Sequence, residues 1–119
     1  MPKKSLIKKT DKAWSHAVKV RADHKCEVCG KKATNSHHYI SRSNRMLRWD
    51  LRNGIATCAG CHLFANKSFH KNPEWGHEWM EKNRKKELGE IQNIMYNIKK
   101  WTGEELQEKY DELRKEYMD

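Results

Sequence analysis

Hydrophobic positions along the chain predict helices towards both ends and two short strands between them. Residues 11–22 carry apolar side chains at positions that fit an amphipathic helix, namely Trp14, Ala17, Val18 and Val20. Residues 35–41 predict a short strand, and residues 55–57 predict a second one directly after the Asn53-Gly54 turn signal. The segment after the second strand should turn into a helix with His62 on its first turn. The pattern as a whole predicts a small α+β fold.

The chain beyond Pro73 has a helical pattern. Its apolar stripe comprises Leu88, Ile91, Ile94, Met95 and Ile98. Thr102 and Glu105 form a capping box at the start of a last helix, whose stripe comprises Leu106, Tyr110, Leu113 and Tyr117. That stripe fits an intramolecular core face or a dimer seam, so a monomer and a homodimer both stay open. We expect one domain, with a core over residues 1–72 and a helical extension over residues 73–119 packed on it.

Composition and charge restrict the class of protein. Hydrophobic residues make up 36% of the 119 residues and charged residues 34%, which predicts a small hydrophobic core. Such a core usually needs an additional stabilising element, for example a bound metal ion. No apolar run is long enough for a membrane span or a signal peptide, so we expect an intracellular, cytoplasmic protein. Residues 1–62 hold 14 Lys/Arg against 4 Asp/Glu, whereas residues 63–119 hold 11 against 12. Segregated positive charge favours a nucleic-acid partner, and the Lys-rich residues 1–9 could form a mobile arm on phosphate.

Two Cys-x-x-Cys pairs predict a structural zinc site. Cys26 and Cys29 form the first pair, and Cys58 and Cys61 form the second, with 28 residues between the pairs. Four thiolates suit tetrahedral Zn²⁺, and in a reducing compartment paired cysteines hold metal more often than they form disulfides. A zinc ion bound by four cysteines has no open position for water, so any chemistry needs a second metal ion.

Histidines and asparagines beside these pairs are the candidate catalytic residues: His37, His38, Asn53, His62 and Asn66. Phosphodiester hydrolysis needs an activated water and neutralised phosphoryl charge, which an imidazole base and a divalent ion supply. Neighbouring residues on a strand point to opposite faces, so His37 and His38 should have different roles. Asn66 lies four residues after His62 and would share its helix face. His16, His24 and His77 fit ordinary surface or helix residues.

The string CEVCG…SHHYISRSNRMLRWDLRNGIATCAGCH, within residues 24–66, resembles HNH endonucleases with the ββα-metal (His-Me finger) fold. It looks closest to small phage recombination endonucleases of the Rap/NinG-like type. The resemblance implies that His37 and His62 bind a catalytic divalent ion and that His38 is the general base. It also implies that Asn53 hydrogen-bonds backbone across the hairpin and orients that base.

The third ligand of the catalytic ion is where this chain departs from the family. Colicin-type members have a histidine where Asn66 stands, and related phage proteins have one shortly before Asn-Pro, which here is His70. We expect Asn66 as the ligand, with His70 as the rival. An amide oxygen would favour Mg²⁺ or Mn²⁺ over Zn²⁺.

DNA contacts are expected from an arginine-rich loop between the strands, which contains Arg42, Arg45, Arg48 and Arg52. Guanidinium groups match phosphate oxygens, and we expect at least one of the four to contact phosphate. Trp49 in the same loop is expected in the core.

The leading hypothesis is a metal-dependent DNA endonuclease that leaves 5′-phosphate and 3′-hydroxyl ends. The first alternative is a zinc-binding DNA-binding module without catalysis, and the second is a protein-interaction module built on the helical tail. Segregation of positive charge argues against the second.

Overall fold

The computed structural model of the protein describes residues 2–64 and 68–117. In chain order its elements are α1 (Lys4–Arg21), β1 (Asn35–His38), a 3-10 turn (Leu51–Asn53), β2 (Gly54–Thr57), a π-helical turn (Gly60–Phe64), α2 (Pro73–Asn83), α3 (Lys85–Ile94) and α4 (Gly103–Glu116). The strands form a two-stranded antiparallel sheet in which His37 pairs with Ile55 and His38 pairs with Gly54. The small α+β fold predicted from the sequence is therefore present.

Helix α1 begins seven residues earlier than the apolar pattern predicts. Leu6 packs against the core, and the Thr10 hydroxyl donates to the Leu6 carbonyl oxygen at 2.7 Å. Lysine is a good helix former, so the basic lead extends the helix by two turns. The expectation of a mobile arm over residues 1–9 is wrong from Lys4 onwards, since those lysines are helical.

The main core lies between α1 and α4. Trp14, Ala17 and Val18 of α1 pack with Leu106 and Leu113 of α4. The apolar stripe of α4 is therefore an intramolecular core face, which was one of the two alternatives beside a dimer seam. The capping box predicted at Thr102 and Glu105 is present and starts the helix.

A second core cluster joins β2 to the helices α2 and α3. Its buried members are Ile55, Phe69, Met80 and Leu88. The helices are separate because the backbone at Arg84 leaves the helical region, with φ −138°. Helix α3 ends at Ile94, so the predicted apolar stripe does not continue to Ile98, which is exposed.

Helix α1 crosses the sheet at the start of β2, where only glycine fits. A Cβ atom on Gly54 would overlap the side chains of Val18 and Trp14. This close approach fixes α1 beside the residue that pairs with His38. Within the described part of the chain, none of the helices is long and apolar enough to cross a membrane.

Candidate active site

The four cysteines come together in a set that could bind zinc. The sulfur atoms of Cys26, Cys29, Cys58 and Cys61 lie within 4.8 Å of one another. All four thiols are free, and Sγ of Cys29 lies 3.5 Å from Sγ of Cys58, far beyond a disulfide bond length of about 2.05 Å. Two sulfurs held tetrahedrally at about 2.3 Å from one zinc ion would be roughly 3.8 Å apart. The set therefore fits the predicted four-cysteine zinc site.

Local hydrogen bonding favours the thiolate form of Cys58. The Cys61 backbone N–H donates to Cys58 Sγ and is the main cause that lowers the pKa of this thiol to about 7. The thiolate is the form that binds metal, so this hydrogen bond favours the metal-binding form of Cys58, whereas burial raises the pKa of Cys61.

Glu27 docks the first cysteine pair on β2. Its backbone N–H donates to the Ala56 carbonyl oxygen at 2.9 Å, and its carboxylate accepts from the Ala56 N–H at 2.6 Å. Arg84, almost completely buried, donates to Glu27 at 3.2 Å and to the Gly54 carbonyl oxygen at 2.9 Å. Sequence reasoning missed both residues, because 57 positions separate Glu27 from Arg84 and no local motif joins them.

His37, His62 and His70 form a second cluster with the geometry of metal ligands. Their candidate ligand nitrogens lie within 4.8 Å of one another. Nε2 of His62 and Nε2 of His70 are 3.1 Å apart. Two imidazole nitrogens at about 2.1 Å from one ion, with an angle of roughly 90° to 109° between them, would be roughly 3.0 to 3.4 Å apart. The three side chains therefore fit one divalent ion.

Burial keeps two of these imidazoles neutral, which is the form that binds metal. Burial, together with the neighbouring His62 and His70, lowers the pKa of His37 to about 3, and Phe69 stacks on its ring. Burial and then His70 lower the pKa of His62. Nδ1 of His62 is buried and has no hydrogen-bond partner among the described residues. Nε2 of the same ring faces His70, so Nε2 is the nitrogen placed to bind the ion.

The cluster includes His70, the rival to the expected ligand. Asn66 lies outside the described residues. The backbone N–H of His70 approaches the His62 carbonyl oxygen at 3.4 Å, and that of Phe69 donates to the Cys61 carbonyl oxygen at 3.2 Å. These contacts return the chain after the π-helical turn towards β1, which brings His70 beside His37.

His38 points to the opposite face of the strand from His37, as the alternation of side chains predicts. Its ring stacks on Trp14 with centroids 3.9 Å apart and planes 8° apart. Nε2 lies 2.9 Å from the Arg48 carbonyl oxygen. Because a carbonyl oxygen only accepts, Nε2 carries the proton and Nδ1 keeps a lone pair. Burial lowers the pKa of His38, although this hydrogen bond acts in the opposite direction. The lowered pKa favours the neutral ring.

Asn53 holds the backbone beside His38. Its side chain is fully buried, and Oδ1 accepts from the Ile40 N–H at 2.7 Å. Nδ2 donates to the carbonyl oxygens of Ile40 at 2.9 Å and Leu47 at 3.3 Å. The hydrogen bonds across the hairpin that the resemblance implied are therefore present. They also end the predicted strand early, because Ile40 pairs with a side chain instead of a neighbouring strand.

The four arginines of the loop differ in what they contact. Arg48 is buried and donates two hydrogen bonds to Asp11, at 3.1 and 2.8 Å. Arg52 pairs with Asp50 at 2.6 Å. Arg42 and Arg45 are exposed, so these two remain the better candidates for phosphate contacts. Trp49 is buried in the core, as expected.

Tyr39 lies on the same side of β1 as His37 and was not identified from the sequence. Both residues line a cavity of about 200 Å³ together with Phe69. The Tyr39 hydroxyl lies 2.9 Å from Nδ1 of His77, whose Nε2 lies 3.3 Å from Glu81. His77 is therefore part of a hydrogen-bonded chain at the edge of this cavity. The spacing of two between His37 and Tyr39 was the available signal.

The geometry of this region agrees with a known family. Residues 26–68 match the HNH endonuclease family model. This HNH segment, a little over a third of the chain, contains both cysteine pairs, the two adjacent histidines, Asn53 and His62, and it ends two residues before His70. No curated protein and no solved structure gives a significant match to the chain. HNH endonuclease domains act on DNA with divalent metals, so the segment indicates nuclease chemistry.

Proposed function

We propose that the protein is a metal-dependent DNA endonuclease whose metal ligands and general base lie on opposite sides of one strand. The observation that supports this most directly is the contrast between adjacent residues. His37 lies with two further imidazoles in a set that fits a divalent ion, whereas His38 is held apart by Trp14 and the Arg48 carbonyl oxygen.

His38 has the features required of a general base. Nε2 donates to a backbone carbonyl oxygen, so the free lone pair on Nδ1 can accept a proton from water. The resulting hydroxide attacks phosphorus, the bond to the 3′ oxygen breaks, and this oxygen takes up a proton from solvent, so the products are a 5′-phosphate and a 3′-hydroxyl. Asn53 positions His38 indirectly, through the backbone of Ile40 and Leu47. Arg42 and Arg45 bind the flanking phosphates.

His70, rather than Asn66, is the proposed third ligand, beside His37 and His62, because its ring lies in the cluster. A divalent ion bound there would stabilise negative charge on the phosphoryl oxygens and the leaving oxygen. Three imidazoles favour transition metals such as Mn²⁺, Ni²⁺ or Zn²⁺ over Mg²⁺. This replaces the preference for Mg²⁺ or Mn²⁺, which rested on an oxygen ligand. The likeness to phage recombination enzymes and the cytoplasm of an infected host as location stay predictions.

Nicking of supercoiled plasmid tests the general base. Protein loaded with structural zinc is compared in EDTA-free buffer with and without Mg²⁺, Mn²⁺, Ni²⁺ or excess Zn²⁺. His38→Ala should lower the nicking rate by about 10²- to 10⁴-fold at unchanged zinc content. His16→Ala, which removes an exposed histidine of α1, is the matched control and should cut at the wild-type rate. Wild-type nicking by His38→Ala would refute the assignment, and DNA binding without cleavage in every metal would favour the non-catalytic alternative.

Metal titration distinguishes the two candidate ligands. His70→Ala should lose the second metal equivalent, measured by calorimetry with Mn²⁺ or Ni²⁺, while Asn66→Ala should keep it. The reverse result would restore Asn66 as the ligand and with it the preference for hard cations.

A further inference from the structure

Two large apolar side chains stand exposed in the segment that follows α3. Tyr96 is 86% exposed and Ile98 is 89% exposed, and they are the large hydrophobic residues that the described part of the chain leaves open. The segment is nevertheless ordered by a turn, in which the Asn97 N–H donates to the Ile94 carbonyl oxygen at 2.9 Å. A single exposed apolar residue is common, whereas these two are separated by only one residue.

Hydrogen bonds hold this segment against the arginine loop. Nδ2 of Asn44 donates to the Met95 carbonyl oxygen at 2.8 Å. Nε1 of Trp101 donates to the Arg45 carbonyl oxygen at 2.9 Å. Residues 41–46 and 95–100 therefore form one continuous surface, here named the Tyr96 surface.

The Tyr96 surface is positively charged. Arg42, Arg45 and Lys100 are exposed on it, while Lys99 pairs with Glu105. The sequence has no Asp or Glu between residues 28 and 49, nor between residues 91 and 103. Such a surface complements a polyanion.

The loop that carries Arg42 and Arg45 also contacts the candidate base. Two residues separate Arg45 from Arg48, whose carbonyl oxygen binds Nε2 of His38. One loop therefore carries the exposed arginines of the Tyr96 surface and the carbonyl oxygen that holds the candidate base.

We propose that the Tyr96 surface binds unpaired nucleotides next to the cleavage site, with Tyr96 and Ile98 against the bases and Arg42, Arg45 and Lys100 on the phosphates. The identification of the strand as DNA rests on the proposed function. Positively charged side chains alone would suffice to bind a duplex, because its bases are already stacked on each other. An exposed aromatic ring can stack on a base only where the bases are unpaired. Two side chains are too small an apolar area for a stable protein interface, which needs about 1,000 Å².

Fluorescence anisotropy with a labelled single strand of about 20 nucleotides and the corresponding blunt duplex, without added divalent ions, tests the proposal. The double variant Tyr96→Ser/Ile98→Ser should bind the single strand at least about tenfold more weakly and the duplex within about twofold of wild type. Lys100→Ala should weaken binding of both DNAs and reduce the salt dependence. Lys86→Ala, which removes an exposed lysine of α3 outside the Tyr96 surface, is the charge-matched control and should leave single-strand affinity within about twofold.

Unchanged single-strand affinity in the double variant would overturn the proposal, as would an equal loss on both DNAs. The proposal would also be overturned if the double variant differed from wild type in sedimentation coefficient but not in DNA affinity. A second copy of the chain would then be the partner that covers this surface. The test is independent of cleavage. If the wild-type protein cuts no DNA and the double variant loses single-strand binding, the role of the Tyr96 surface is supported and the proposed nuclease activity is refuted.

Discussion

Replacing Arg84 by methionine should strongly destabilise the protein although Arg84 contacts no proposed ligand or base. Its guanidinium donates to the carbonyl oxygens of Gly54 at 2.9 Å and Arg52 at 3.2 Å, which flank Asn53 in the chain. It also donates to the carboxylates of Glu27 and Glu87. Arg84 therefore links the first cysteine pair, the start of β2 and helix α3.

The size of the effect follows from which contacts are buried. Glu87 is 33% exposed, so its pair with Arg84 contributes about 1 kcal/mol or less. The Gly54 carbonyl oxygen keeps a donor in Arg21, at 2.6 Å. The contacts to the Arg52 carbonyl oxygen and to Glu27 are part-buried, with the Arg84 side chain 8% and the Glu27 side chain 18% exposed, and each is worth about 1.5 kcal/mol because the donor is charged. We expect a loss of about 3 to 4 kcal/mol, near the range for removing one member of a buried ion pair.

Urea unfolding of the zinc-loaded protein measures this loss. In a separate thermal unfolding experiment the melting temperature should fall by roughly 12 to 16 °C, at about 4 °C per kcal/mol. Lys86→Met on the exposed side of α3 is the control, with a change within about 0.5 kcal/mol. A loss below about 1 kcal/mol for Arg84→Met would refute the reasoning. So would additive effects of Arg84→Met and Glu27→Gln, because residues in direct contact should couple.

Two further predictions concern stability. Cys58→Ser should lose the structural zinc and cooperative unfolding. Zinc binding contributes about 10 kcal/mol or more, which exceeds the stability that so small a core supplies. Zinc analysis and circular dichroism test this, and a variant with the wild-type melting curve would contradict it. Asp11→Asn should lower stability at pH 7. Burial raises the pKa of Asp11, but the hydrogen bonds from Arg48 and Trp49 together with the charges of Arg48 and Arg42 outweigh burial and lower this pKa below 3.8. The stabilisation is present above the unfolded pKa of about 3.9 and is lost only as pH falls through the lower folded pKa. The wild-type-minus-variant difference in urea should therefore be equal at pH 7 and pH 5, and a marked decrease between these pH values would argue against the prediction.

The parts of the site that were predictable from sequence depend on local spacing. Each Cys-x-x-Cys pair folds as one turn, and Gly30 closes the first of them with φ +79°. The opposite directions of His37 and His38 follow from strand geometry alone. Such features depend on a few neighbouring residues, so the surrounding fold does not alter them.

The parts that were not predictable depend on how distant segments meet. His70 joins His37 because the chain reverses after the π-helical turn, which no periodicity reveals. Arg48 carries the same charge as Arg45 but is neutralised by Asp11, 37 positions away. The α3 stripe failed at Ile98 for a similar reason, since helix α3 ends at Ile94.

The arrangement of the site depends on the register of a sheet with only four residues in each strand. Because side chains alternate, a slip of one residue would turn His38 into the metal cluster and His37 towards α1. Asn53 opposes such a slip at one end, where it bonds both backbone groups of Ile40. Gly54 opposes it where α1 crosses, since any residue with a Cβ would collide with the helix there. The separation of metal ligands from base is thus maintained by residues whose function is to fix the backbone, which explains how so small a sheet can hold two imidazoles in different roles.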